Sequence, residues 1–303
     1  METKILETDA LRLEIHPEAG ASIAGFGIRH GESVVPLMRA TPAEAIAAAN
    51  SSEMASFVLA PFSNRLRDAA FRFGGRTWQL KPNFEGGYAI HGCVRKRPWE
   101  VVTQDATQIT LHFDSRRFAD LDFPFPFSVD LTYRLHDTTL EASLRLRNEG
   151  EGAMPAGAGF HPYYERALFD PGENVELRMR VAATWEGLCP ETAARPLHAD
   201  EDFSERRSLP REGFDTCFAG WDGNAELFWP RSQVRAEIEC DAPLRQVILF
   251  TPPDKSFFAL EPVSNANNGF NLLADGIADN GVVVLESGEE MAATFRVRVH
   301  LPG

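Results

Sequence analysis

The chain has 303 residues, 44% of them hydrophobic and 24% charged, with a formal net charge of −14. A chain of this length buries a large core, as one large β-domain or two smaller domains. Its negative field disfavours nucleic acid and anionic membranes as partners, no apolar run approaches the roughly 20 residues of a membrane span, and Cys93, Cys189, Cys217 and Cys240 are spaced too widely for a zinc ribbon or redox dithiol.

The opening Met1-Glu2-Thr3-Lys4 lacks the basic and apolar regions of a secretory signal, so a cytoplasmic protein with reduced, mostly buried thiols is expected. Leu11, Leu13 and Ile15 alternate with Arg12 and Glu14. Gly20 to Ile28 supplies a second strand after a turn over Pro17 to Gly20, which makes an opening hairpin. Thr41-Pro42-Ala43-Glu44 combines a hydroxyl N-cap, a proline at the first helical position and a glutamate placed to close a capping box. With Ala45 to Ala49 behind it, this predicts one short helix. Phe71 and Phe73 alternate before Gly74-Gly75, and Trp78 and Leu80 after it, the pattern of a hairpin with a primed two-residue turn. Asn64-Arg65 stands at its entrance and Ile90-His91-Gly92 beyond its exit, which gathers polar groups at one rim of a sheet.

Trp99 to Thr103 and Ile109 to Phe113 pair around Asp105-Ala106-Thr107. Pro124-Phe125-Pro126 then introduces two long strands. Phe127, Val129, Leu131, Tyr133 and Leu135, and then Leu140, Ala142, Leu144 and Leu146, form unbroken apolar faces opposite polar ones. Val175 to Val181, Val234 to Cys240 and Phe295 to Leu301 repeat the alternation. From Leu188 to Arg211 the chain has no period and reads as a surface excursion. The whole predicts an all-β protein: a large antiparallel β-sandwich with few short helices, in a single domain over residues 1–303.

Of the eight histidines, His16, His30, His112, His136, His198 and His300 fall in turns or on polar strand faces and read as solvated. His91 and His161 differ. They stand in Ile90-His91-Gly92 and Phe160-His161-Pro162, where a glycine or proline fixes the backbone that holds the ring. Glu261 lies in the apolar run Phe257 to Pro262, where a buried carboxylate needs a partner and burial raises its pKa. Asp215 in Phe214-Asp215-Thr216 reads the same way, or as a turn cap. Several chemistries fit such a set. Metal binding lacks a His-x-x-x-His or Glu-x-x-His spacing, and serine hydrolysis lacks Gly-x-Ser-x-Gly. Glycoside hydrolysis would use Asp215 and Glu261 but leave the histidines idle. A non-catalytic carbohydrate-binding protein would need neither a buried glutamate nor a protonatable histidine.

The order Asn64-Arg65, a Phe-x-Phe-x-Gly hairpin, Asn83 and His91-Gly92, then Gly159-Phe160-His161-Pro162-Tyr163-Tyr164 and Leu260-Glu261-Pro262, resembles the aldose 1-epimerase (galactose mutarotase) family from near residue 10 to the C-terminus. The resemblance implies a galactose mutarotase-like supersandwich and an isomerase of carbohydrate metabolism that interconverts the anomers of an aldose. It pairs Glu261, as base, with His161, as acid. Mutarotation itself asks for one base at the C1 hydroxyl and one acid at the ring oxygen, and a protonated imidazole near its ordinary pKa of about 6.5 suits the second role. His91 would stabilise charge developing on an oxygen, Arg65, Asp215 and Asn64 would orient the sugar, and Trp185 or Phe250 would form a pocket wall. A small-molecule sugar is the expected partner of a monomer or homodimer, and no cofactor is expected. Two departures leave the preferred sugar open. Pro262 to Asn271 lacks the Gln-containing continuation associated with galactose mutarotases, and Val94-Arg95-Lys96-Arg97-Pro98-Trp99 stands where a Gly-rich turn is more typical. The run Arg95-Lys96-Arg97 marks either a phosphorylated or sulfonated substrate or a solvated loop.

Overall fold

The computed structural model describes residues 3–302; Met1 and Glu2, on which the expected lack of a leader partly rests, and Gly303 lie outside them. Among the described residues, nine antiparallel strands form one sheet in the order Glu100–Gln104, Gln108–Asp114, Phe127–His136, Thr139–Asn148, Glu290–His300, Val234–Cys240, Asn224–Trp229, Glu176–Met179 and Arg207–Ser208. The predicted alternation sets its register. Leu131 stands opposite Leu144, and Leu144 opposite Ala293, so one parity is buried along the sheet while Asp130 and Arg134 remain exposed.

A smaller seven-stranded sheet runs Ala183–Trp185, Asp215–Ala219, Gln246–Phe250, Phe257–Val263, Gly159–Phe160 and Val58–Leu59, with Tyr163–Glu165 also paired to Phe257–Val263. The two sheets pack face to face. Phe160 stacks on Phe295 with ring centroids 5.4 Å apart, and Leu249, Phe258 and Leu260 of the smaller sheet join Leu131, Leu144 and Val297 of the larger in one core. Each such side chain contributes roughly 1.5–3 kcal/mol by leaving water. A four-stranded sheet, Lys4–Glu7, Leu11–His16, Ser22–His30 and Ser33–Pro36, is tied to the large sheet by Tyr133, whose hydroxyl donates to the Ala21 carbonyl at 2.9 Å.

Tertiary partners overrule four local expectations. The helix Ala43–Ala47 forms, but Thr41 does not cap it; its hydroxyl accepts the Ala55 N–H at 3.1 Å instead. A second short helix, Gly269–Ala274, follows the glutamate segment. His16 is buried rather than solvated, because the Ala43–Ala47 helix covers it and the Ile46 carbonyl lies 3.1 Å from its Nε2. The stretch from 188 to 211 is no free excursion. Phe203 and Leu209 are buried, and the carbonyls of Leu188, Cys189 and Pro190 accept hydrogen bonds from Asn267, Arg67 and Asn268. All four cysteines are free thiols, and no helix among the described residues is long and apolar enough to cross a membrane.

Candidate active site

Period-two geometry places the site on the face of the small sheet that points away from the large one. Along Phe257–Val263, Phe258 and Leu260 enter the inter-sheet core, while Ala259, Glu261 and Val263 turn to the opposite face. Ile248 lies opposite Glu261 and Cys217 opposite Ile248, so Asp215, two residues before Cys217, shares that face. A second apolar cluster containing Phe57, Leu59, Tyr163, Trp185, Cys217 and Ile248 surrounds it. Glu261 is therefore only 2% exposed although it lies outside the main core.

His161 follows the strand Gly159–Phe160, and its backbone N–H donates to the Phe57 carbonyl at 2.9 Å. Glycine is needed at 159, since a Cβ there would stand 2.6 Å from the Pro262 carbonyl oxygen and push the two strands apart. Their close approach brings His161 Nε2 to 3.2 Å from Glu261 Oε1. The imidazole packs against the rings of both Phe57 and Tyr163, its centroid 4.5 Å from each, and the Tyr163 hydroxyl oxygen is 3.4 Å from the same Nε2. His91 meets His161 edge to face at 5.1 Å. His91 and Gly92 have φ of 64° and 65°, and a Cβ at Gly92 would fall 1.9 Å from the Ala60 carbonyl oxygen. The His91 N–H donates to the Asn64 carbonyl at 2.9 Å, which locks the turn before the hairpin to the turn after it.

Arg65 donates from Nη2 to Asp215 Oδ2 at 3.0 Å and from Nη1 to Asn64 Oδ1 at 3.0 Å. The Asp215 side chain is 33% exposed and marks the mouth of the site. Several buried polar atoms have no partner: Glu261 Oε2, the Nδ1 atoms of His91 and His161, Arg65 Nε and Asn267 Oδ1. Together they offer donors and acceptors to a polyhydroxylated ligand.

The electrostatics follow from burial and three arginines. Burial raises the Glu261 carboxyl well above the ordinary carboxylate range, Asp215 adds to the rise, and Arg65 opposes it. Burial lowers His161 well below the ordinary imidazole value, assisted by Arg39, Arg95 and Arg65. His91 is lowered in the same way by burial, then by His161, Arg95 and Arg65. The Tyr163 hydroxyl is pushed up to about 12, chiefly by burial. Both directions favour a neutral carboxyl and a neutral imidazole over the ion pair, against the charge that an acid role for His161 asks of its ring. Desolvation penalises an ion pair more than a neutral acid beside a neutral base.

The structure thus gathers Glu261, His161, His91, Arg65, Asp215 and Asn64, all expected from the sequence. Trp185 is displaced from its expected place as a pocket wall. It is 2% exposed, and its Nε1 donates to Gln246 Oε1 at 2.8 Å within the cluster beneath the site. The half-buried Phe250 pairs with Asp215 across the strands at the mouth. Of the basic run, Lys96 is exposed, Arg97 is ion-paired with Asp120 at 2.9 Å, and Arg95 is buried. Phe57, Tyr163 and Arg39 were missed as site residues. Tyr163 lies inside a motif that was read, whereas Phe57 and Arg39 carry no local signal.

Fold and site together define a galactose mutarotase-like protein. The structure matches a galactose mutarotase-like protein from Clostridium acetobutylicum with a TM-score of 0.85, over 98% of this chain and 95% of that one, at 15% identity. It matches a GalM/aldose epimerase homologue from C. elegans with a TM-score of 0.81 over 100% of both chains, also at 15% identity. In sequence it is similar to the uncharacterized protein YphB of Escherichia coli K12, 26% identical over 305 residues and 97% of each chain. The family model for aldose 1-epimerase matches residues 6–298, and the chain belongs to that family.

Proposed function

We propose that the protein is an aldose 1-epimerase, an isomerase that interconverts the α and β anomers of an aldose by acid–base ring opening. The supporting observation is the buried Glu261–His161 contact at 3.2 Å, a carboxyl and an imidazole within reach of two oxygens of one sugar. Glu261 takes the proton of the C1 hydroxyl as C1 becomes a carbonyl. The bond from C1 to the ring oxygen breaks, and His161 Nε2 gives its proton to that oxygen. The pair begins as carboxylate and imidazolium and ends as carboxylic acid and neutral imidazole, with its proton count unchanged.

That end state is the one burial favours, so the site stabilises the pair that faces the open-chain aldehyde. The starting carboxylate is favoured by Arg65 and by sugar hydroxyls donating to Glu261 Oε2. Rotation about the C1–C2 bond presents the other carbonyl face, and the reverse transfers close the ring. His91 stabilises charge on the reacting oxygens, while Arg65, held by Asn64 and Asp215, orients hydroxyls.

Polarimetry of freshly dissolved α-glucose and α-galactose tests the reading, with faster approach to equilibrium expected in the presence of protein. Glu261→Gln keeps the shape but removes the base, so kcat should fall by roughly 10²- to 10⁴-fold while calorimetry still detects sugar binding. The Glu261→Gln, His161→Asn double variant should be little slower than either single variant, because the two groups act in one event. Turnover of Glu261→Gln at the parent rate would refute the assignment. Binding of sugar by the parent protein with no acceleration would mark a carbohydrate-binding protein instead.

A further inference from the structure

Asn83 has no part in the proposed chemistry, and its hydrogen bonds show what it holds. Its Oδ1 accepts the Ile90 N–H at 2.8 Å, and its Nδ2 donates to the Ile90 carbonyl at 3.2 Å. Ile90 stands opposite Arg65 where Ala89–Ile90 pairs with Arg65–Leu66, and His91 follows it. The backbone N–H groups of Asn83 and Phe84 both donate to the Tyr88 carbonyl, at 3.0 and 3.2 Å. Between them Gly86 and Gly87, with φ of 78° and 80°, turn the chain back. The loop from Phe84 to Tyr88 is thus a tight turn, fastened at its base to the strand that leads to His91.

This turn carries an aromatic ring with no place in the core. Phe84 is 48% exposed and belongs to neither apolar cluster. Phe169, also exposed, packs edge to face on His30 at 5.4 Å. Phe84 instead stands beside Arg65, whose Cζ is 5.5 Å from the centre of its ring. Arg65 is buried, is paired with Asp215 at the mouth of the site, and keeps an Nε without a partner. One guanidinium group therefore meets both the Asp215 carboxylate and the Phe84 ring. A lone aromatic on an open surface is ordinary, whereas this one is held by a clamped turn against an arginine that still has donors to offer.

We infer that Phe84 is a binding platform for the sugar, its ring taking the C–H face of the pyranose whose hydroxyls Arg65 binds. The inference rests on the proposed function, which makes Arg65 a sugar-orienting group. A pyranose is amphipathic: its hydroxyls project around the rim, while axial C–H bonds make its faces apolar. A hydroxyl bound to the Arg65 guanidinium, about 3 Å from a nitrogen, brings the rest of the sugar within reach of a ring centred 5.5 Å from Cζ. Stacking there removes the exposed ring from water and shields the hydrogen bonds to Arg65. No closure of the loop is required. The Asn83 and Tyr88 hydrogen bonds already hold Phe84 in place, so little ordering cost is left for binding to meet.

The test measures anomer exchange of glucose and galactose by NMR in the parent, Phe84→Ala and Phe84→Tyr. Phe84→Ala should raise KM roughly 3- to 10-fold, the worth of one aromatic contact, and leave kcat within about twofold. Phe84→Tyr keeps a flat ring and should hold KM within about twofold of the parent. Because the ring is exposed, both variants should melt within about 2 °C of the parent. An unchanged KM in Phe84→Ala, an equal rise in Phe84→Tyr, a fall in kcat alone, or a melting temperature lowered by several degrees would overturn the inference. Calorimetry with 1,5-anhydroglucitol, a pyranose that has no anomeric hydroxyl and cannot open, separates the two failures. Binding that weakens in Phe84→Ala and persists in Phe84→Tyr, without turnover of either sugar, would sink the mutarotase reading and keep the platform. Turnover with binding indifferent to Phe84 would sink the platform alone, and neither binding nor turnover would sink both.

Discussion

The charges that flank Glu261 predict two pH effects of opposite sign. Arg65 lowers its carboxyl and Asp215 raises it, although the two are themselves an ion pair at 3.0 Å. Under the proposed mechanism kcat/KM is constant while the Glu261–His161 pair holds one proton. It falls in acid when the pair takes a second proton and in alkali when it loses the last. Burial raises Glu261 and lowers His161, so the alkaline limb is assigned to Glu261 and the acid limb to His161. Asp215→Asn removes a negative charge, makes ionisation of Glu261 easier and moves the alkaline limb to lower pH. Arg65→Gln removes a positive charge and moves the same limb to higher pH. Asp215 acts on Glu261 more strongly than Arg65 does, so the Asp215→Asn displacement should be the larger of the two. Each variant also leaves one partner uncompensated. Partial exposure of Asp215 brings that cost to about 1–3 kcal/mol, below the range for a fully buried pair. Saturation transfer between anomeric protons, followed from roughly pH 5 to 10, compares the limbs of the parent and both variants. Limbs that move the same way in both variants, or not at all, would mean that Glu261 is not the group titrating in alkali.

Gly92→Ala places a Cβ 1.9 Å from the Ala60 carbonyl oxygen at a φ of 65°, so it should lower stability by several kcal/mol and displace His91. A melting temperature within a degree of the parent would contradict the interlocked turns. Trp185→Phe should cost about 1–3 kcal/mol by leaving Gln246 Oε1 without its donor, with the sugar KM changed by less than about twofold; a large rise in KM would return Trp185 to the pocket wall. Circular dichroism should be dominated by β signal, and thermal unfolding should be one transition if residues 1–303 fold as a single domain. Two independent transitions would reject that boundary.

The strands were legible because period-two alternation is a local property, and the register of Phe127–His136 against Thr139–Asn148 follows from it. Glu261 was legible for a related reason, since a carboxylate among Phe257, Phe258, Ala259 and Leu260 conflicts with its surroundings. What a sequence cannot display is who covers whom. His16 has the parity of an outward-facing residue and is buried only because a helix some thirty positions later packs on it. Thr41 carries a good capping signal, yet the Ala55 N–H claims its hydroxyl. Trp185 has an aromatic face suited to sugars, but Gln246 supplies the acceptor its indole needs in the interior. The Arg65–Asp215 pair joins positions 150 residues apart and has no local trace beyond the family motif. Arg39 lay in a stretch without period or motif, and only its place over Tyr163 brings it into the site.

The position of the site on the sheet explains how it tolerates its own cost. Were Glu261 one residue earlier or later, its parity would send it into the inter-sheet core among Leu249, Phe258 and Leu260, where no polar group could answer it. On the far face it meets a cluster dry enough to raise its pKa, but one roofed by loops rather than by a third sheet. Those loops are the turn at Asn64-Arg65, the turn at His91-Gly92 and the segment through Asn267, each fastened by backbone hydrogen bonds. Under the proposed function a sugar would enter past the half-buried Asp215 and Phe250 edge, which loops can leave open as a packed sheet could not. Burial, which raises Glu261 and lowers His161, favours the neutral pair and so works against the full penalty of a buried ion pair. The charged arrangement is needed only while a sugar supplies the hydroxyls that stabilise it.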